Sequence, residues 1–284
     1  MPFAARWCLP LLIAIAPVCA AQTEPSIPWA YGAYFGTGYY ELGTGEETYV
    51  LSIRPGRRWR NLAPDRPRGA IGVELRVPVA IGAYHLDVTD LAGSLQLDNV
   101  STVSAVPGVE IDVPMGERWS LKPLAYVGWG TQLDGDASAW IYWTGLKSRV
   151  RFGDEDFQWA LVNSLTYVGY SDNAADRGNS LPLLTAFEFS RPLGEKKIAG
   201  KQVRLHWQVG YTDYLNEVDL NPAALAVTHT ELDAEWELGM AFSTGADRLQ
   251  LWRFKWDRVG LVYRFSPDGE FRGIGIEFRS LFDR

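Results

Sequence analysis

The sequence predicts an all-β protein, a transmembrane up-and-down antiparallel barrel of about twelve strands, and three observations carry that expectation. Apolar residues recur at every second position in runs of about ten residues or more, longer than the five or six usual for strands of soluble sandwiches. Aromatic and glycine residues are abundant, with 12 Trp, 13 Tyr, 12 Phe and 28 Gly among 284 residues, a mix that suits aromatic girdles and glycine-tolerant strands. No stretch after residue 21 offers the roughly 18 uncharged apolar residues of a membrane-spanning helix, so any crossing must be made by strands.

The alternation is clearest at Val203, Leu205, Trp207, Val209 and Tyr211, which interleave with Arg204, His206, Gln208, Gly210 and Thr212. Next comes Thr230, Leu232, Ala234, Trp236, Leu238, Met240 and Phe242 against Glu231, Asp233, Glu235, Glu237, Gly239 and Ala241. A strand with an apolar face and an acidic one fits neither a dry core nor water, but it fits a wall between lipid and a polar lumen. Similar runs start at Ile71, Val103 and Trp119, continue over 137–152, 157–170 and 181–190, and end with Val259 to Phe265 and Ile274 to Phe278. Residues 249–265 change face near Arg253 to Arg258, which reads as a bulge.

Tryptophans near the strand ends, Trp29, Trp119, Trp129, Trp140, Trp159, Trp207 and Trp236, match amphipathic rings at two lipid interfaces. Short turns such as Pro114 to Glu117, Phe152 to Glu155 and Ser243 to Asp247 suit the periplasmic side. The longer polar segments 171–180 and 215–228 suit the outside, and the basic stretch 54–69 fits neither pattern. An even strand count leaves both termini in the periplasm.

The first 21 residues read as a Sec signal peptide: Arg6 in the n-region, Leu9 to Ala16 as the apolar centre, and a small-residue cleavage site at Val18 to Ala21. A short segment, 22–28, would follow, then a barrel over 29–284. Both cysteines, Cys8 and Cys19, fall in the leader, so the exported chain is expected to have no thiol and no disulfide. The formal charge of -7 argues against nucleic acid as a partner. Outer-membrane lipid is the expected surrounding, the extracellular ligand is unidentified, and no cofactor or metal is expected.

The segment FKWDRVGLVYRF at 254–265, the turn SPDGEF and the closing strand RGIGIEFRSLF at 272–282 resemble autotransporter-type β-barrel domains, in particular solitary barrels without a passenger. The resemblance implies a twelve-stranded barrel inserted by the outer-membrane assembly machinery, and it brings no catalytic residues. It also implies a terminal aromatic, matched by Phe282, although Asp283 and Arg284 follow it. The seven residues expected between Ala21 and Trp29 leave no room for secreted cargo or a pore-filling helix.

The inward charges expected on adjacent strands are Arg204 and His206, then Glu231, Asp233, Glu235 and Glu237, then Lys255, Arg258 and Arg264, then Glu277 and Arg279. Two readings of them stay open. They form a salt-bridged interior that holds a structural or interaction protein rigid, or they line a narrow channel for small solutes. A third reading, an outer-membrane hydrolase with a rim His/Asp site, would draw on His85 with Asp87 and Ser94, or on His229 near Asp213, Glu217 and Asp219. An acidic loop from Leu133 to Asp136 offers too few fixed oxygens for calcium.

Overall fold

A computed structural model of the chain describes residues 36–42, 47–54, 56–60, 69–84, 100–133, 138–154, 156–172, 177–198, 201–219, 231–244, 249–251, 254–256 and 258–283. The expected leader, the 22–28 segment, Trp29, and the candidate residues His85, Asp87, Ser94 and His229 lie outside them. Among the described residues there is no helix; eighteen β segments form the fold. They are β1 (Gly38–Leu42), β2 (Glu47–Ile53), β3 (Gly56–Arg60), β4 (Gly72–Arg76), β5 (Val79–Tyr84), β6 (Val100–Ala105), β7 (Gly108–Pro114), β8 (Trp119–Gln132) and β9 (Ser138–Gly153). The rest are β10 (Gln158–Asp172), β11 (Arg177–Ser180), β12 (Pro182–Ile198), β13 (Lys201–Asp219), β14 (Glu231–Ser243), β15 (Leu249–Leu251), β16 (Phe254–Trp256), β17 (Val259–Phe265) and β18 (Phe271–Glu277).

Several neighbours in sequence are pieces of one strand, because their register runs on unbroken. Ile53 opposes Val79 in the β2–β5 pair, and Gly56 opposes Arg76 in the β3–β4 pair, so β2 with β3 faces β4 with β5 as one long hairpin. The same continuity joins β6 to β7 against β8 and β11 to β12 against β10. Joined this way, and with β15 and β16 set aside, the segments make twelve antiparallel staves. The ring closes where β1 pairs with β18, Gly38 opposite Gly275 and Leu42 opposite Phe271. Closure leaves no edge, as a barrel wall in hydrocarbon requires.

Burial follows the alternation inside out. Leu238, Met240 and Phe242 on β14 are exposed outward, as are Leu261 and Tyr263 on β17 and Ile274 and Ile276 on β18. Their alternate neighbours Glu237, Arg264 and Glu277 are buried inside. Aromatic rings mark two levels on the outer surface. At the end that carries the 115–118 and 154–157 turns, Phe152 stacks on Trp159 with centroids 4.0 Å apart, and Phe189 stacks on Trp207 at 5.7 Å. At the far end Trp129 meets its cross-strand partner Trp140 edge-on at 5.2 Å. From Trp119 to Trp129 along β8 is about 33 Å of strand, or roughly 25 Å along the axis at a ~40° tilt, the height of a hydrocarbon band.

Two local features set the wall. Tyr126 lies over its cross-strand partner Gly108, where an added Cβ would sit 2.2 Å from the ring, so the glycine makes room for the tyrosine to cover the lumen side of the pair. In the 154–157 turn, Gly153 takes φ 86° and the backbone N–H groups of Asp156 and Phe157 both donate to Asp154 Oδ1 at 3.0 Å. The Phe157 and then the Asp156 N–H hold the Asp154 carboxyl below its ordinary range.

Four sequence expectations change. Residues 249–256 are not a bulge in one long strand: β15 and β16 pair with each other, Leu249 opposite Trp256, as a separate hairpin in the connection from β14 to β17. The stretch 54–69 is partly strand, since β3 prolongs β2. The outer loops are shorter than 171–180 and 215–228, because β10 runs to Asp172, β11 starts at Arg177 and β13 runs to Asp219. The last strand stops at Glu277 rather than 282; the Phe278 carbonyl still accepts from the Arg258 N–H at 3.3 Å, and residues 279–283 turn away from the sheet.

The seam gives a direct test of closure. In a chain with Cys8 and Cys19 replaced by serine, Glu41→Cys with Arg272→Cys, directly opposed across β1 and β18, is expected to form a disulfide, because paired strands hold opposed Cα atoms about 4.5–5.5 Å apart. Arg272→Cys with Gly38→Cys, three positions along, is expected to stay reduced; non-reducing gels after folding distinguish the two.

Candidate functional site

Twelve strands about 4.8 Å apart and tilted by ~40° enclose a cylinder about 24 Å across between backbones, and wall side chains reaching ~6 Å inward leave a gap of roughly 12 Å. What fills that gap decides what the protein can do. Three layers occupy it. From the middle to the far end the layer is apolar and aromatic, with Tyr40, Tyr126, Ile141, Tyr170, Leu232 and Phe271 all buried.

The second layer is ionic. Glu237 and Arg264 oppose each other directly on β14 and β17, with Arg264 Nε 2.8 Å from Glu237 Oε2. Gln208 Nε2 donates to the other oxygen of Glu237 at 2.6 Å. Arg258, just before β17, bonds Gln208 Oε1 on β13 at 2.6 Å and Glu188 Oε1 on β12, three staves round the ring, at 2.9 Å, and it also pairs with Glu277. A second cluster stands on the β4, β7 and β8 wall. There Arg76 pairs with Glu74 and with Glu110, each at 3.0 Å, and Tyr126 donates to Glu110 at 2.8 Å. Buried cations with carboxylates in contact satisfy charges that would otherwise stand desolvated.

The third layer is the chain itself. After β18 and Phe278, residues 279–283 fold back into the end of the lumen near the tight turns, and Leu281 and Phe282 are 2% and 0% exposed. Lys122 Nζ donates to the Phe282 carbonyl at 3.2 Å and pairs with Asp283 Oδ1 at 2.5 Å. Arg76 Nη1 donates to the Asp283 carbonyl at 2.7 Å, and the Leu281 N–H donates to Glu188 at 2.7 Å. Arg279 reaches Glu74 at 3.1 Å and the Arg54 carbonyl at 3.2 Å. These bonds tie the segment to four separate staves, so it can dock only once the ring exists.

The sequence-predicted residues divide accordingly. Arg258, Arg264, Glu237, Glu277 and Arg279 enter the charge network, and Glu235 is buried beside it. Arg204 and His206 make short-range hydrogen bonds instead: Arg204 Nε to Ser190 Oγ at 3.0 Å, and His206 Nε2 with Ser243 Oγ at 2.7 Å. Asp233 is exposed, not inward. The reason is a break in the alternation, Ala234 and Glu235 both being buried where the β13–β14 register shifts between Asp213 and Val218. The side chains of Glu231 in β14 and Lys255 in β16 lie outside the described residues.

Sequence reasoning missed Glu74, Arg76, Glu110, Lys122, Glu188 and Asp283. The signal was present in Glu74 and Arg76 alternating with Val73, Leu75 and Val77. The docked tail left no sequence signal of its own, since 278–282 continues the strand pattern. Phe282, which the resemblance assigns as the terminal aromatic of the last strand, is inside the lumen. Phe278 is the residue that follows Ile274 and Ile276 in the outward alternation.

Removing one partner of a buried pair strands the other. Arg264→Met is expected to lower unfolding free energy by about 3–5 kcal/mol, read by denaturant titration in vesicles. On the same strand pair Leu238→Arg is expected to cost about 2–4 kcal/mol near mid-bilayer. A loss below ~1 kcal/mol for Arg264→Met would show that the pair does not hold the wall.

No family model matches the sequence, and no curated protein matches it. Solved structures do. The chain is similar to the β domain of the Bordetella autotransporter BrkA, at 10% identity and TM-score 0.50, covering 85% of this chain and 95% of that one. It is also similar to the translocator domain of the autotransporter NalP from Neisseria meningitidis, at 12% identity and TM-score 0.49, over 86% and 85% of the two chains. At such identities the likeness is one of fold. In fold, then, the chain is a closed twelve-stranded antiparallel barrel of the autotransporter translocator type.

Proposed function

We propose that the protein is an outer-membrane β-barrel of structural or interaction type whose lumen is closed, with the tight turns and the docked tail on the periplasmic side and the far-end loops outside. The observation that carries this reading is the filled lumen. Apolar, ionic and tail layers follow one another along the axis, and a small cavity of about 60 Å³ lies among them beside Glu110, Lys147 and Leu281, a size for water. The outward apolar surface between two aromatic levels supports the bilayer setting, and the leader-like first 21 residues support export.

The channel reading needs an aqueous path, and on the lumen side Tyr40, Tyr170 and Phe271 are buried from water, at 4%, 7% and 1% exposure. The hydrolase reading has a histidine next to a serine in His206 and Ser243, but Ser243 is 4% exposed. Substrate does not reach such a hydroxyl, which favours a structural hydrogen bond. Surfaces for a partner then lie at the loop ends of the staves.

Two measurements test the proposal. Refolded full-length protein in planar bilayers is expected to give no discrete conductance steps; stable steps would replace this reading with the narrow channel, and lipid hydrolysis would replace it with the enzyme. On fractionation the protein is expected in the outer membrane, running faster in detergent gels before boiling than after, and recovery as a freely soluble periplasmic protein would end the membrane reading.

A further inference from the structure

The tail contacts are more than a filler for space. The wall recognises three consecutive residues by backbone and by side chain together. Lys122 and Arg76 take the carbonyls of Phe282 and Asp283, and Glu188 takes the N–H of Leu281. The Phe282 ring lies against two cations, 4.3 Å from Lys122 Nζ and 4.2 Å from the Arg149 guanidinium carbon. The Asp283 carboxylate meets the same two cations, at 2.5 Å and 3.6 Å. Leu281 and Phe282 pack on an apolar patch of Val162, Leu184 and Ala186, set in a wall that is otherwise polar here, with Ser164, Glu188 and Ser190 around it.

The charge balance of the wall points the same way. Lys122 stands directly opposite Lys147, and Arg149 opposite Ser120, two positions away along the strand pair. Arg76 adds a third stave's cation, while the described carboxylates in contact with this group from the wall are Glu74 and Glu110. The site is cationic until an acidic group enters. None of its recognition depends on the covalent link to β18, because carbonyls, an N–H, an aromatic ring and a carboxylate are what it reads.

We propose that the tight-turn end of the lumen is a peptide-binding site for a segment of the type leucine–aromatic–acidic, filled in cis by Leu281, Phe282 and Asp283 and able to take a second segment of that chemistry when the tail leaves. The cis tail competes at the high effective concentration that a short tether gives, so the site is masked in the resting barrel. The unfilled space beside Leu281 admits a larger apolar residue at that position of the ligand.

The inference rests on the closed-lumen reading, yet the two fail separately. Conductance of the intact barrel tests the first, and peptide binding, measured without conductance, tests the second. The probe is a fluorescein-labelled peptide of residues 278–284, Phe-Arg-Ser-Leu-Phe-Asp-Arg, titrated by fluorescence anisotropy against full-length barrel refolded in detergent. Leu281→Ser with Phe282→Ser, which undocks the tail, is expected to bind the peptide at least tenfold more tightly than the unaltered chain. Adding Lys122→Gln and Arg149→Gln is expected to weaken that binding at least tenfold, as is alanine in place of the second phenylalanine of the peptide. Equal binding to the unaltered and undocked barrels, or none to an undocked barrel that still runs as a folded band, overturns the proposal. If the undocked chain does not fold, Ser280→Cys in a chain with Cys8 and Cys19 replaced by serine serves instead. Excess unlabelled peptide is expected to speed maleimide labelling of that thiol several-fold, and an unchanged rate overturns the proposal.

Discussion

Backbone hydrogen bonding in a medium without water governs this molecule. Each unpaired N–H or C=O in hydrocarbon costs several kcal/mol by general estimate, so a strand wall must close on itself. Here it closes through β1 and β18, a five-residue register that joins the first described strand to the last. An exposed ion pair at its rim, Arg272 to Glu41, adds little, because solvent screens it. The seam is held by the ladder itself.

Closure then dictates the rest. A closed wall has two faces, and period-two alternation assigns each side chain to one of them. The apolar set goes to lipid and the remainder goes inside, where twelve strands leave more width than short side chains can fill. Long cations answer that geometry. Arg76 and Arg264 reach carboxylates on neighbouring staves and Arg258 reaches one three staves round the ring, and their burial makes these pairs costly to break. The returning segment 279–283 completes the filling by bringing an aromatic ring, a leucine and an acid into the part of the wall richest in cations.

A barrel filled in this way differs in kind from a water-filled pore. In the closed-lumen reading its inward charges pair within the wall and with the docked segment, so specific contacts with other molecules fall to the strand ends and to any site that the tail can vacate. The tail therefore joins the two questions of stability and binding: the same Lys122 and Arg149 contacts that dock it in cis set the chemistry of what could replace it.

By itself the sequence determined the fold class and the face of most strands, because alternation over ten or more residues reads out directly as inside and outside, and because paired aromatics such as Trp129 and Trp140 mark the levels of a bilayer. It located Glu237, Arg258, Arg264 and Glu277 as inward charges for the same reason. It did not determine where alternation breaks. The register shift between β13 and β14 turns Asp233 outward, and the hairpin of β15 and β16 interrupts what reads as one strand. Nor did it determine the partners of inward charges, since Arg258 finds Glu188 seventy positions away and three staves round the ring. The tail lay furthest from view. Residues 278–282 carry a strand's pattern, and only the assembled ring, with its width and its unbalanced cations on β8 and β9, gives those after Phe278 a reason to leave the sheet and fold inside.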